Sequence, residues 1–236
     1  IYSLLLVLAL VRLLEWPFGR RPVSPYVVRL ACRTSMWILR LPLTVTGTPM
    51  TQKGAVVCNH ASWLDIFTLN ASQQVFFVSK TELSTWPVIG FIARAAGTVF
   101  IARKSRDAGI QKTLFEDRLS RGDRLLFFPE GTSTDTLRVL PFKSTLFAAF
   151  FTPDLIETMW IQPSTLVYHA PPDKDPRFYG WWGDMAFLPH FLATLGVVRQ
   201  GRVELIFHTP VRVSDFKDRK ALARYCEETV RNAMVK

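Results

Sequence analysis

The sequence predicts an α/β domain with a mixed, largely parallel central sheet flanked by helices, preceded by a two-helix segment lying in a membrane interface. Three observations carry this prediction. After Thr48, short apolar runs alternate with helix-length segments, the pattern of parallel strands joined by helical crossovers. The segments richest in chemistry each fall at the end of one of those runs, where α/β sheets bind ligands. The first 41 residues instead hold two apolar helical stretches studded with arginine.

The elements follow in order. Leu4 to Leu14 is an apolar run broken only by Arg12. It is shorter than the about 20 residues that cross a bilayer, and no small-residue cleavage site follows it. Pro17, Pro22 and Pro25 punctuate a turn containing Arg20 and Arg21, and a second helix is predicted from Tyr26 to Leu41 with Arg29, Arg33 and Arg40. Up to Asn59 there are seven basic residues and one acid, Glu15, which is +6 of the chain's +10. Apolar helices with cations at their margins suit a membrane surface bearing anionic lipids. The alternative is a helical hairpin packed on the domain with solvated arginines. The coincidence of charge and apolar faces favours the interface, so residues 1–41 are assigned to docking and 42–236 to the α/β domain.

Strand-like runs are Ala55–Asn59, Gln74–Ser79, Thr98–Ala102, Leu125–Phe128, Trp160–Tyr168 and Val203–His208. Helical segments are Trp63–Asn70, Val88–Ala95, Asp107–Arg121, Lys143–Phe151 and Lys217–Met234. Ala170–Pro176, rich in Pro and Asp, reads as a surface loop.

Composition narrows the function. With 49% hydrophobic and 20% charged residues the 236-residue chain is not disordered. Twenty-nine Lys and Arg against 19 acids imply anionic company. Eighteen Phe, seven Trp and a mean hydropathy of +0.16 point to lipid rather than nucleic acid. Cys32, Cys58 and Cys226 are odd in number and far apart, which gives neither a disulfide framework nor a metal pair, so a reducing compartment is expected. His169, His190 and His208 lack metal-ligand spacing, and no phosphate-binding glycine loop exists.

The segment from Val57 to Asp65 ends a buried run and opens a helix. His60 in the intervening loop can fold back and give one ring nitrogen to Asp65, leaving the other as a general base. Ser62-x-x-Asp65 equally resembles a capping box, in which Asp65 only satisfies a backbone N–H. On this segment alone the two readings are even. The second segment, Phe127 to Ser133, places a carboxylate, a flexible backbone and a hydroxyl after an apolar strand; the plain reading is a turn. The third, Gly97 to Arg103, ends in a cation that either clamps an anion bidentately or belongs to a solvated cluster with Lys104 and Arg106.

Together Asn59-His60-x4-Asp65, Gly97…Phe100-Ile101-x-Arg103, Phe128-Pro129-Glu130-Gly131-Thr132 and Ile161-Gln162-Pro163 resemble the four ordered blocks of the 1-acylglycerol-3-phosphate, or lysophospholipid, acyltransferase family. The resemblance spans about Gly54 to Tyr168 and extends to the family's basic, apolar N-terminus. It implies that His60 is the base and Asp65 its orienting partner. Arg103 and Glu130 would shape the acceptor headgroup site, with Gly131 and Thr132 as its floor. Lys80 matches a lysine near the reacting carbonyl, and Lys143 a further basic position. An acid often precedes the family arginine; here Ala102 does.

The continuation Ser133-Thr134-Asp135 and Arg138 to Ser144 is most similar to the branch acylating lyso-amino-acid lipids such as lyso-ornithine lipid. The implied reaction moves a fatty acyl group from acyl-ACP or acyl-CoA to the free hydroxyl of a lysolipid. It needs no cofactor and no metal, and it runs at the cytoplasmic face of a bacterial inner membrane on a peripheral or monotopic protein. Lysophosphatidate acyl transfer is the alternative acceptor choice. A non-catalytic lipid-binding protein is the alternative class, and retention of both His60 and Asp65 argues against it. Cys58, in an apolar strand, is expected to pack in the core rather than act as a nucleophile, and Gly131-x-Ser133-x-Asp135 lacks the second glycine of a hydrolase elbow.

Overall fold

The computed structural model describes every residue except 1, 16, 18–20, 88, 102–107 and 235–236, and only the backbone at 2–5 and 108–112. Along the described chain run α1 (Tyr2–Glu15), α2 (Ser24–Ile38), β1 (Leu43–Thr46), β2 (Gly54–Cys58), α3 (Leu64–Ser72) and β3 (Phe76–Lys80). Next come α4 (Ile89–Ala96), β4 (Val99–Ile101), α5 (Ala108–Ser120), β5 (Leu125–Phe127) and β6 (Trp160–His169). The chain finishes with α6 (Phe187–Leu195), β7 (Arg202–Phe207), β8 (Val211–Arg212) and α7 (Arg219–Met234).

The sheet has the order β1-β7-β6-β2-β5-β3-β4, with β8 beside β6. The five strands from β6 to β4 are parallel. The direction reverses between β6 and β7, and β1 lies parallel to β7 at the margin. The sheet is therefore mixed, as expected, with an antiparallel edge two strands wide.

Each central strand is buried on both faces, as a continuous apolar run requires. Along β2, Ala55 and Val57 face a layer built by Phe115 and Leu119 of α5 and Leu222 and Cys226 of α7. Val56 and Cys58 face the opposite layer, with Cys32 and Met36 of α2 and Leu64 and Leu69 of α3. The alternation is the period-two geometry of a strand. Burial raises the pKa of the Cys58 thiol well above its ordinary value, so it stays neutral in the core.

Four details depart from expectation. β1 and β8 are too short to announce themselves, and Lys143–Phe151 gives only a 3₁₀ segment, Leu146–Phe150. Helix α6 was not anticipated. It has no charged residue to mark an amphipathic period and carries Pro189 in its first turn, where proline is tolerated.

The N-terminal pair differs most from its reading. Glu15 accepts the amides of Val23 and Ser24 (2.7 and 2.9 Å), supplying the N-terminal cap that α2 lacks from its own residues, and also pairs with Arg12 at 2.9 Å. Arg33 donates to the carbonyl of Ala71 (2.9 Å) and Arg29 to that of Ser72 (3.0 Å), so both bond the orphan carbonyls at the end of α3. Arg21 reaches the carbonyl of Ala95 at 3.3 Å. Arg12, Arg21, Arg29 and Arg33, expected to wait at lipid phosphates, thus bond groups inside the protein, and Arg20 lies outside the described residues. The apolar side chains do the opposite: Leu13, Leu14 and Trp37 are 70%, 72% and 78% exposed. No helix among the described residues is long and apolar enough to cross a membrane.

Candidate active site

Because β2, β3, β4 and β5 are parallel, the loops at their carboxyl ends converge. His60 follows β2, Lys80 ends β3 and Glu130 follows β5. Arg103 follows β4 in sequence but lies outside the described residues, as does Ala102.

His60 folds back onto α3 as anticipated. Its Nδ1 lies 2.6 Å from Oδ2 of Asp65, a residue wholly buried in the first turn of α3. The same Oδ2 accepts the amides of Ala61 (2.8 Å) and Ser62 (3.1 Å). The two competing readings of this segment are thus both half right. Asp65 caps backbone amides and also orients the imidazole. The reciprocal half of a capping box is missing, because the buried Ser62 hydroxyl has no hydrogen-bond partner. With Nδ1–H given to the carboxylate, Nε2 of neutral His60 carries the lone pair, on a side chain 21% exposed. The ring stacks on Phe128, with centroids 4.1 Å apart and planes at 10°.

Glu130 departs from its expected role. It is 1% exposed. Its Oε1 accepts the amide of His60 at 2.7 Å and its Oε2 that of Leu140 at 2.8 Å, and burial closes the group to a headgroup. The carboxylate holds the backbone of the base in place instead. Burial pushes its pKa up to about 7, opposed by those two amides. Thr134 fixes the other side of His60, its amide and hydroxyl bonding the His60 carbonyl at 2.9 and 3.2 Å.

Gly131 stands where the floor was expected. It has φ +73°, a backbone that favours glycine, and Nζ of Lys143 lies 2.8 Å from where a Cβ would stand. Nζ of Lys80 donates to the Gly131 carbonyl at 2.6 Å. Two ammonium groups therefore flank one turn beside the exposed Thr132.

The sequence reading gave no role to two further residues. Asn59 exchanges a pair of bonds with the backbone of Leu166 (2.8 and 2.9 Å), tying the end of β2 to β6. Tyr168, near the end of β6, donates its hydroxyl to Oδ1 of Asp65 at 2.7 Å. The signal available for Tyr168 was its place in a buried strand, since a buried phenol needs a hydrogen-bond partner.

An imidazole with a lone pair on Nε2, oriented by a buried carboxylate, can take the proton of a hydroxyl. A histidine with a buried carboxylate partner at the carboxyl ends of a parallel sheet is the arrangement of an enzyme site. The acyltransferase family profile matches residues 43–165. The chain is 56% identical to a lyso-ornithine lipid O-acyltransferase of Rhodobacter capsulatus over 95% of its own length and 82% of the relative's. It is 34% identical to an enzyme of the same name from Pseudomonas aeruginosa, over 90% and 81%. The crystal structure of the 1-acyl-sn-glycerophosphate acyltransferase PlsC from Thermotoga maritima shares the fold, with a TM-score of 0.65 at 23% identity over 96% of this chain and 86% of that one. The chain belongs to the acyltransferase family.

Proposed function

We propose that this acyltransferase moves a fatty acyl group from acyl-ACP or acyl-CoA to the free hydroxyl of a lyso-ornithine-type lipid. The observation that carries the chemistry is the His60–Asp65 contact of 2.6 Å, with Nε2 left as the base. Nε2 takes the hydroxyl proton as the oxygen bonds to the thioester carbon. The tetrahedral oxyanion is stabilised by an ammonium group, for which Lys80 is the candidate. The C–S bond then breaks and the departing thiolate takes the proton from His60. No acyl-enzyme and no cofactor is needed.

The acceptor choice rests on relatives named lyso-ornithine lipid O-acyltransferases, which match most of the chain. Relatives from Neisseria named 1-acyl-sn-glycerol-3-phosphate acyltransferase are 45% identical over only 39% of it. Arg103, by resemblance, takes the acceptor's anionic headgroup in its guanidinium fork. The exposed apolar faces of α1 and α2 dock on the cytoplasmic face of the inner membrane, where anionic lipid complements the net positive charge.

The test is acceptor-dependent thiol release from a long-chain acyl-CoA, with lyso-ornithine lipid and lysophosphatidate compared at fixed donor. A higher kcat/KM for lyso-ornithine lipid is expected, and a higher value for lysophosphatidate overturns the acceptor choice. Arg103→Ala should raise KM for the lysolipid much more than for the thioester. An effect confined to the thioester removes the headgroup role.

A further inference from the structure

Asp65 has two carboxylate oxygens, and the dyad uses only one. Oδ2 faces His60 and the amides of Ala61 and Ser62, whereas Oδ1 receives the Tyr168 hydroxyl at 2.7 Å. Tyr168 comes from β6, well away in sequence from the His60–Asp65 segment. The pairing of β2 with β6 ends at Cys58↔Ser164, where the chain leaves β2 for His60. β6 continues, held on its other side by β7 with Tyr168 opposite Val203, and so carries the hydroxyl past the end of β2.

The phenol is 5% exposed and has one proton to give. Its other neighbour, the Thr68 hydroxyl, lies 3.5 Å away and already donates to the carbonyl of Leu64 at 3.1 Å. The proton therefore belongs to Asp65. We propose that Tyr168 is a positioning residue which, by bonding the second oxygen of Asp65, sets how strongly that carboxylate holds a proton on His60. The inference rests on the catalytic reading of His60 and Asp65 given above.

The electrostatics give the effect a sign. A donor on Oδ1 withdraws negative charge from the carboxylate, so Oδ2 stabilises the imidazolium less. Removing the donor makes the imidazole more basic, and strengthening it makes the imidazole less basic. Among the described residues, the other titratable groups around the dyad are Cys58 on β2, Glu130 at the His60 amide, and Lys80 and Lys143 at Gly131. None of them changes when the Tyr168 hydroxyl alone is altered.

Two isosteric replacements test this: Tyr168→Phe and 3-fluorotyrosine incorporated at position 168, whose more acidic phenol is a stronger donor. The readout is kcat against pH with long-chain acyl-CoA and lyso-ornithine lipid both saturating, because the acidic limb reports the base in the complex. Tyr168→Phe should move that limb up by about half to one pH unit, and fluorotyrosine should move it down by less. Limbs unmoved in both proteins, or moved the same way, overturn the proposal and leave Tyr168 a packing residue. If Tyr168→Phe fails to fold, the fluorotyrosine protein decides alone, since its limb must fall. His60→Ala is run alongside. Turnover surviving that change would defeat the catalytic reading itself, whereas its loss beside unmoved limbs defeats only the role of Tyr168.

Discussion

The N-terminal helices and the strand-end loops treat polar and apolar residues in opposite ways. In α1 and α2 the cations have protein partners, Arg29 and Arg33 on the end of α3, while Leu13, Leu14 and Trp37 stand in the open. At the ends of β2 and β5 the carboxylates of Asp65 and Glu130 are buried, and every oxygen accepts at least one hydrogen bond. Buried charge is costly unless paired, so a cluster of buried, fully bonded acids marks a site held to one geometry. Several leucines left open along one helix face are the ground on which membrane docking is proposed for it.

That contrast is open to attack at four points. The largest effect is expected from His60→Ala, which should lower kcat by about 10²–10⁴-fold while the circular dichroism spectrum stays unchanged. Near wild-type turnover in the folded variant would strip the buried cluster of its catalytic meaning.

Next comes the open face. Deleting residues 1–41 is a blunt tool, because Cys32, Met36 and Leu41 belong to the core. Changing Leu10, Leu13 and Leu14 together to Ser removes exposed apolar surface and little else. Fully burying a leucine contributes about 1.5–3 kcal/mol, and these are already partly covered, so vesicle partition should fall on the order of 10²-fold. Flotation of the triple variant equal to wild type would place docking elsewhere.

A smaller effect belongs to Glu130. Its pKa stands at about 7 in the folded protein against an ordinary 4.5. Between those values the folded state holds a proton that the unfolded chain has released, so this group's stability contribution is lost as pH rises from about 4.5 to about 7. Urea unfolding across that window should show the decline, and Glu130→Gln should flatten it. The variant should also cost about 1–3 kcal/mol, since a Gln amide turns a donor towards one of the two backbone N–H groups. An unchanged slope would contradict the buried setting.

The smallest effect separates the two uses of arginine. Arg33→Ala should lower stability by about 0.5–1.5 kcal/mol through the lost bond to Ala71 and leave binding to anionic vesicles nearly intact. The reverse pattern, stable protein with weakened binding, would return the cation to the membrane.

Much of the site was legible along the chain because its parts are local. His60, Asp65, Glu130 and Gly131 sit within a few residues of strand ends, where apolar runs stop and polar residues begin. Short-range order also told that Asp65 follows His60 at a distance a loop can close, and that Cys58 would be core. The alternation after Thr48 was enough for a largely parallel sheet, since period and segment length are properties of the chain itself.

What the sequence could not decide was the partner of each polar group. Whether Arg33 meets a phosphate or the end of α3 depends on how closely two helices approach, and that is a property of packing. Glu130 reads as a headgroup ligand in a motif; folding buries it against the amides of His60, from the loop after β2, and of Leu140, further along its own loop. Tyr168 reaches Asp65 across 103 positions of sequence because β6 runs beside β2 and outlasts it. Hydrogen-bond direction and burial are settled only when distant segments share a core, so local pattern brought His60 and Asp65 together, and tertiary structure alone decided what holds them.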